Sequence, residues 1–364
     1  MADKISVLIV DDSALMRSMI GKIVESSQEL RVAGKAMNGK FALNKIPNLD
    51  PDVIVLDLEM PEMNGIEFLK ERRRLGIHIP VIILSSLARR GARITMEALS
   101  LGASDFILKP TGTDQSELQS IAVALTDVIK VYGGNYKSEK TDGAPRRELD
   151  FKTPAQQKRD EKPVVYRKVT DRVDVVAIGI STGGPNALRE VFKNLDVNLP
   201  VPILVVQHMP AGFTAEFAQS LDRVSPLVIK EAEDGDLLKP GRIFIAAGNY
   251  HLAINRMRLA DTVRLTQEEP VNGHRPSADV LFSSAVKIYG KRILAVIMTG
   301  MGRDGAKGIG EIYHAGGLTV AQDSETSVVY GMPRVAFENG VVDSVVALPN
   351  MAETINRLVM THQR

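Results

Sequence analysis

Short apolar runs alternate with longer segments of helix-compatible spacing through the first third of the chain. The runs are rich in β-branched residues and are continuous, which is typical of strands in a parallel sheet that helices cover on both faces. The pattern predicts a doubly wound α/β domain with a five-stranded parallel sheet. Its predicted strands are Ile5–Val10, Arg31–Ala36, Val53–Leu56, Val81–Leu84 and Phe106–Leu108.

The same alternation returns after Asp171 and predicts a second doubly wound domain with a mostly parallel sheet. Its predicted strands are Val173–Ile180, Val201–Val206, Arg242–Ala247, Ile293–Met298 and Leu318–Ala321. Helix-compatible spacing occupies Asn186–Leu195, Thr214–Leu221, Ala278–Tyr289 and Ala306–Ala315.

The segment between the two patterns is polar and has few large apolar residues. Such a segment cannot offset an ordering cost of roughly 1–2 kcal/mol per residue, which predicts a flexible linker. A helix crossing the segment is the alternative, but Pro145, Pro154 and Pro163 argue against one continuous helix. The predicted organisation is a first domain over residues 1–132, a linker over 133–171 and a second domain over 172–364.

The length and composition agree with two soluble domains. A chain of 364 residues exceeds the usual single-domain range, and 44% hydrophobic with 24% charged residues is ordinary for globular proteins. Lys and Arg number 45 against 44 Asp and Glu. This balance, and the lack of a helix-turn-helix pattern, argue against a nucleic-acid partner, which normally requires a clustered basic face.

The chain lacks two features that would indicate thiol chemistry or export to a membrane: cysteine, and a long apolar segment. The chain has no cysteine, so a covalent mechanism needs another nucleophile than a thiolate. The start, Met1–Val10, lacks a signal-like segment, and no run of about 18 apolar residues occurs. We therefore expect a cytoplasmic protein without membrane insertion.

Acidic residues follow two strands of the first predicted sheet. Asp11 and Asp12 come after the first strand and Asp57 after the third. The carboxyl ends of parallel strands share one edge, so the three carboxylates should cluster there and favour Mg²⁺ with oxygen ligands. Lys109 follows the fifth strand and pairs with the same charge, and Ser85 can donate to a phosphoryl oxygen.

Any one of these aspartates could be an ordinary solvated turn residue, but five matched positions make coincidence a poor explanation. The first domain resembles the response-regulator receiver family over nearly all of residues 4–131. The matching features are Asp11-Asp12, Asp57 within Leu56–Pro61, Gly65, Ser85 and Lys109-Pro110.

The receiver resemblance implies a flavodoxin-like fold and a phosphorylated aspartate. Asp57 would accept a phosphoryl group from a histidine kinase, with Ser85, Phe106 and Lys109 as the switch residues. The implied ligands of Mg²⁺ are Asp11, Asp12, Asp57 and the main chain of Glu59.

A serine follows the first strand of the second predicted sheet. Ser181 lies in Gly179-Ile-Ser-Thr-Gly183, between a strand and a helical pattern, which fits a nucleophile elbow. Free backbone N–H groups at the helix start could bind an oxyanion there. Two alternatives remain at this point: Ser181 only caps the helix, or the turn holds a phosphate.

A histidine and an aspartate reach the same predicted sheet edge. His208 ends the run from Val201, and Asp304 lies a short turn beyond the strand Ile293–Met298. A serine nucleophile needs an imidazole to accept its proton and a carboxylate to orient that imidazole. Asp304 could instead be an Asp-Gly turn residue, and His251 a packed strand residue.

The second domain resembles the chemotaxis protein-glutamate methylesterase family over most of residues 173–364. The order Ser, His, Asp along the chain differs from the order in α/β-hydrolases. The match to a nucleophile elbow therefore does not predict the α/β-hydrolase fold. The matching motifs are Ser181–Pro185, Gln207–Pro210, His274–Ser277 and Thr299–Gly305.

The combined resemblance implies a Rossmann-like catalytic domain controlled by phosphorylation. It implies Ser181 as nucleophile, His208 as base and Asp304 as orienting acid, with Thr182 and Met301 as candidate backbone oxyanion donors. The implied reactions are demethylation of glutamate methyl esters and deamidation of glutamine on methyl-accepting chemoreceptors, without a cofactor for the esterase step.

We expect the receiver to cover the catalytic edge until Asp57 is phosphorylated, in a chain that acts as a monomer. The alternative is a non-catalytic module that binds a nucleotide through Ser181–Gly184.

Overall fold

The structure is a computed structural model that describes residues 4–110, 115–141 and 172–361. The chain forms two compact units, one on either side of residues 142–171. Within the described ranges, no helix combines the length and the apolar character that crossing a membrane requires.

The first unit is a parallel sheet of five strands in the order β2-β1-β3-β4-β5. Neighbouring strands pair in parallel, and helices join successive strands, so the predicted flavodoxin-like order is present. Its strands are β1 Ile5–Val10, β2 Leu30–Ala36, β3 Val53–Asp57, β4 Val81–Ser85 and β5 Asp105–Leu108. Its helices are α1 Ala14–Ser26, α2 Gly39–Leu49, α3 Gly65–Arg74, α4 Arg89–Ser100 and α5 Gln115–Thr141.

Polar side chains start the first three helices of this unit. Ser13 and Asn38 accept from the main chain of α1 and α2, and Asn64 forms a capping box with Glu67 at α3. These caps fix each helix start close to a strand end. The loops that carry Asp11, Asp12 and Asp57 are therefore short and defined.

The predicted start of the linker is wrong. Helix α5 continues past Gly133 and Gly134 to Thr141. Its last turns are held because Lys140 Nζ donates to Asp50 Oδ1 at 2.9 Å and Lys137 Nζ to the carbonyl of Lys4 at 2.8 Å. The rest of the predicted linker, residues 142–171, lies outside the described residues.

The second unit contains a seven-stranded parallel sheet in the order β14-β13-β12-β6-β7-β9-β8. Strand β6 lies between β7 and β12, so the loops after these three strands meet at one edge. Its strands are β6 Val175–Ile180, β7 Ile203–Gln207, β8 Val228–Glu231, β9 Arg242–Ile245, β12 Ile293–Ile297, β13 Leu318–Gln322 and β14 Ser344–Val346. Its helices are α6 Gly184–Phe192, α7 Phe213–Asp222, α8 Ala278–Tyr289, α9 Ala306–His314, α10 Met332–Glu338 and α11 Leu348–Thr361.

A separate antiparallel hairpin, β10 His251–Arg256 and β11 Asp261–Thr266, packs beside α8. Its buried residues Leu252, Ile254 and Val263 join Leu281 and Phe282 of the helix in one apolar core. The hairpin and the loop after it thus have a fixed position over the start of α8.

Candidate active site

The second unit brings the three predicted catalytic side chains together at the carboxyl edge of its sheet. Ser181 follows β6 directly, His208 follows β7, and Asp304 lies in the loop between β12 and α9. Because β6 pairs with both β7 and β12, these loops are neighbours although they are distant in sequence. Ligands of parallel α/β sheets bind at this edge.

The three side chains form a continuous chain of hydrogen bonds. His208 Nδ1 lies 3.1 Å from Ser181 Oγ, and His208 Nε2 lies 2.8 Å from Asp304 Oδ2. Asp304 is buried and unprotonated, so the Nε2 atom must carry the hydrogen that it shares with the carboxylate. Nδ1 of a neutral ring is then free to accept the proton of the serine hydroxyl.

The backbone around Ser181 is a tight turn that only small residues can make. Gly183 has φ +78°, a conformation that favours glycine. A Cβ atom on Gly184 would lie 1.9 Å from Oε1 of Gln207, so the chain passes against that side chain. The turn therefore depends on both glycines.

Gln207 ties the ends of β6 and β7 together. Its Nε2 donates to the carbonyl oxygens of Ser181 at 3.0 Å and of His208 at 3.1 Å. The side chain is buried, and each bond fixes the main chain of one predicted catalytic residue. Sequence reasoning placed Gln207 in the matching motif Gln207–Pro210 but gave its side chain no role.

Asp304 is held by donors on every side. Its Oδ1 accepts from Ser277 Oγ at 2.6 Å and Asn272 Nδ2 at 2.9 Å, and its Oδ2 accepts from the N–H of Ala278 at 2.6 Å. Ser277 precedes α8 and does not cap that helix with its own side chain, so Asp304 takes the free N–H groups of the helix start.

This environment fixes the charge of Asp304. Burial by itself raises the pKa of this carboxyl, but hydrogen bonding and charge from His208, with the bonds from Ser277 and Asn272, hold its pKa well below the usual range. Asp304 is therefore an anion at neutral pH and can stabilise a protonated His208. Asp304 and Gly305 do form a turn, closed by the N–H of Ala306 donating to the carbonyl of Arg303 at 3.1 Å, but the carboxylate in that turn is buried and bonded to His208.

A second imidazole lies against His208. The His274 ring stacks on the His208 ring with centroids 3.8 Å apart and an angle of 12° between planes. Burial and the neighbouring His208 lower the pKa of His274 to about 4, against an opposing effect of Asp304. His274 is thus uncharged at neutral pH and covers one face of the His208 ring.

The helix-cap alternative for Ser181 does not hold. Helix α6 has Gly183 as its N-cap and no side-chain cap, and Ser181 Oγ lies against the imidazole instead. Two predicted oxyanion donors stand near it: within the described part of the chain, the main-chain N–H groups of Thr182 and Met301 donate to no protein acceptor. Both remain free for a substrate oxygen.

The acidic cluster of the first unit is assembled as predicted. Carboxylate oxygens of Asp11, Asp12 and Asp57 lie within 4.8 Å of one another, and Asp12 is exposed. Lys109 Nζ lies 2.7 Å from Asp57 Oδ2 and 3.1 Å from Asp11 Oδ2. Burial, together with the charge of Asp11, raises the pKa of Asp57 against the lowering effect of Lys109. A set of hard oxygen donors with excess negative charge fits a magnesium ion.

The other predicted residues of this site lie around the cluster. The N–H of Glu59 donates to Asp57 Oδ1 at 3.3 Å. Ser85 ends β4, but its Oγ lies 2.6 Å from Oγ1 of buried Thr95 rather than bonding to Asp57. Phe106 lies in β5 and is partly buried. Thr95 was not anticipated, because nothing in the sequence ties a helix residue to the end of β4.

Comparison with known proteins assigns both units. Residues 176–355 match the CheB methylesterase family, and residues 7–122 match the response regulator receiver domain. A relative from Treponema denticola is 53% identical, with 98% of each chain covered, and is named "Protein-glutamate methylesterase/protein-glutamine glutaminase". The chain belongs to the CheB methylesterase family.

Other members of the CheB methylesterase family agree. A Treponema pallidum protein of the same name is 47% identical over 97% of this chain and 96% of its own. The solved catalytic domain of Thermotoga maritima CheB methylesterase is 43% identical with a TM-score of 0.51, covering 51% of this chain and 99% of that domain. The predicted two-part α/β fold and the predicted membership of a methylesterase family with a receiver domain are confirmed.

Proposed function

We propose that this chain removes methyl groups from glutamate methyl esters of chemoreceptors, with Ser181 as the nucleophile. The single observation that supports the proposal most is the hydrogen-bonded series from Ser181 Oγ through His208 to Asp304, with distances of 3.1 Å and 2.8 Å. Such a series is the requirement for activating a serine at neutral pH.

The proposed reaction has two halves. His208 Nδ1 takes the Ser181 proton while Oγ attacks the ester carbonyl carbon; the C–O bond to methoxide then breaks, and the His208 proton leaves with it as methanol. In the second half His208 takes a proton from water while the hydroxide attacks the acyl carbon; the bond from that carbon to Ser181 Oγ then breaks, His208 returns the proton to Oγ, and the glutamate carboxyl group is released. Asp304 stabilises the His208 cation in both halves.

Two neighbouring groups complete the proposed chemistry. The N–H groups of Thr182 and Met301 would donate to the oxygen that becomes negative in the tetrahedral intermediate. The same centre would deamidate a receptor glutamine, with ammonia in place of methanol as the leaving group. Because the serine, imidazole and carboxylate suffice, we propose no cofactor for either reaction.

We further propose that Asp57 of the receiver accepts a phosphoryl group from a chemotaxis histidine kinase and that this accelerates the esterase. Asp11, Asp12 and the carbonyl of Glu59 would hold Mg²⁺ with Asp57, and the ion would neutralise phosphoryl oxygens. Lys109 and Ser85 would bond the new phosphoryl oxygens, and Phe106 would move with Ser85. The cytoplasmic location and the monomeric state stay predictions.

The test of the esterase is methanol release from receptor membranes that carry methyl esters. Replacing Ser181 by alanine removes the nucleophile, and loss of triad members costs up to about 10⁶ in rate. We expect Ser181→Ala to reduce methanol release to background in a folded protein. Wild-type rates in this variant would contradict the proposal, and nucleotide binding at the same turn would favour the non-catalytic alternative.

A further inference from the structure

A tight turn between the β10–β11 hairpin and α8 stands next to the proposed catalytic carboxylate. The N–H of Val271 donates to the carbonyl of His274 at 3.0 Å, and the reverse bond is also 3.0 Å. Its two central residues, Asn272 and Gly273, have φ +54° and +79°. Asparagine and glycine are the residues that accept this left-handed backbone at both positions.

The side chain of Asn272 joins two buried carboxylates. Its Nδ2 donates to Oδ1 of Asp304 at 2.9 Å and to Oδ2 of Asp279 at 2.8 Å. An amide nitrogen carries two hydrogens, so each carboxylate receives one and the donor capacity is used completely.

The two carboxylates need a neutral donor between them. Asp304 is 1% exposed and Asp279 is 7% exposed. Burial raises the pKa of Asp279, and the nearby charge of Asp304 adds to this, against the bonds from Gly308 and Asn272. Like charges at this depth repel strongly, which favours any arrangement that separates them or satisfies their oxygens.

The bond also affects which oxygen of Asp304 meets His208. Oδ1 is occupied by Asn272 and Ser277, and Oδ2 by His208 and the N–H of Ala278. Loss of the Asn272 bond removes one of the restraints on rotation of the carboxylate, and it leaves more of the carboxylate's negative charge uncompensated beside His208.

We infer that Asn272 is a positioning residue of the esterase: bridging Asp279 and Asp304, it holds the carboxylate in the orientation that His208 requires. This inference rests on the proposed function. Asn272 touches no substrate in this role and acts through Asp304.

A merely structural role for Asn272 would come from its backbone. The left-handed conformation could be all that the turn needs, and the same loop is braced independently by Arg275, which donates to Asn249 Oδ1 at 2.7 Å and to the carbonyl of Glu268 at 3.0 Å. The two roles separate in glycine variants, because glycine keeps the positive φ and removes only the amide.

The test compares Asn272→Gly and Asn272→Asp with wild type in the full chain. Both variants tolerate the turn; the first loses the donor, and the second places a third carboxylate between two others. We expect kcat for methanol release to fall roughly tenfold to a hundredfold in Asn272→Gly, the range for a lost hydrogen bond to a charged group, and further in Asn272→Asp. KM should change little, since the substrate is not touched.

The pH dependence distinguishes positioning from structure. The charged and titratable groups around His208 are Asp304 and His274, with Asp279 and Lys307 beyond Asn272. More negative charge facing His208 favours its protonated form. The acid limb of the kcat/KM profile, and the NMR titration of the His208 ring, should therefore move to higher pH in Asn272→Gly and further in Asn272→Asp.

Asn249→Gly is the matched control. Asn249 also has a positive φ, +68°, and supports the same loop, but among the described residues its side chain bonds to Arg275 only. We expect its pH profile and His208 titration to match wild type.

An unshifted acid limb and an unshifted His208 titration in both Asn272 variants would overturn the inference, even with a lower kcat. The NMR titration measures protonation of the His208 ring beside Asp304 without substrate. Its result therefore tests the inference independently of the esterase reaction. Failure of the proposed function shows differently, as methanol release in wild type that Ser181→Ala does not remove.

Discussion

The two units place their polar residues at the same kind of sheet edge but in opposite electrostatic situations. In the receiver, the carboxylates of Asp11, Asp12 and Asp57 face one ammonium group, that of Lys109. In the esterase unit, the carboxylate of Asp304 meets donors on both oxygens, the His208 ring among them. The first site carries unbalanced negative charge, and the second is satisfied by the protein alone.

The difference shows how the same placement of polar residues, at the carboxyl edge of a parallel sheet, can serve both a switch and a catalyst. An edge with excess negative charge needs a cation, so its state depends on what is supplied from outside. A catalytic carboxylate whose two oxygens already accept hydrogen bonds is preorganised and needs no rearrangement before reaction. On the proposed function, the chain joins a site completed by Mg²⁺ and phosphate to one that is complete already.

The largest expected effect comes from a substitution that disrupts the site of the esterase unit. In Asp304→Asn an NH₂ group replaces one carboxylate oxygen, and either orientation of the amide sets this NH₂ against a donor. When it faces His208, the ring takes the tautomer with hydrogen on Nδ1 and cannot accept the Ser181 proton. We expect kcat for methanol release to fall by roughly 10⁴, as in other triads. An unchanged kcat in folded protein would show that the carboxylate does not orient the ring.

The second effect concerns the cation of the incomplete site. Removing Mg²⁺ with a chelator, or replacing Asp12 by alanine, should abolish phosphorylation of Asp57 by a small phosphodonor, because the carboxylates then repel the incoming phosphoryl group. Basal methanol release should stay unchanged, since the esterase residues bind no ion in the proposed mechanism. Phosphorylation is measured as intact mass. Full phosphorylation without a divalent ion would contradict the contrast between the two sites.

The smallest effect is a change in stability with pH in the second unit. His274 has a pKa of about 4 in the folded chain, below its ordinary value of 6.5. Protonation therefore favours the unfolded state, and stability present above pH 6.5 is lost as the pH falls toward 4. His274→Phe keeps a ring against His208 without titrating. Denaturant unfolding of this variant should depend less on pH in that window, whereas equal slopes would contradict the assignment.

The sequence predicted the strands that are buried on both faces, together with the side chains at their ends. Continuous apolar runs such as Val53–Leu56 and Val201–Val206 predict buried strands, so the placement of Asp57 and His208 followed from their positions near the strand ends. The missed strands β8 and β14 are short edge strands of the seven-stranded sheet, with exposed residues that interrupt the apolar pattern. The separate hairpin was missed because it is buried on one face only.

The supporting residues of the site were beyond sequence reasoning for another reason. Gln207, Asn272 and His274 act through contacts with residues that are remote along the chain, such as Asn272 with Asp304. Their local sequence fits ordinary roles, a strand end and a polar turn. The Asn-Gly pair at 272–273 was the one local signal, since it favours a tight turn.

The central claim, that a receiver phosphorylated at Asp57 controls hydrolysis at Ser181, is tested most directly by one rate comparison. Methanol release from methylated receptor membranes is measured for wild type and Asp57→Asn, each with Mg²⁺ and with or without a small phosphodonor. The account predicts that the phosphodonor accelerates wild type and leaves Asp57→Asn at its basal rate. Equal acceleration of both proteins, or of neither, would contradict it.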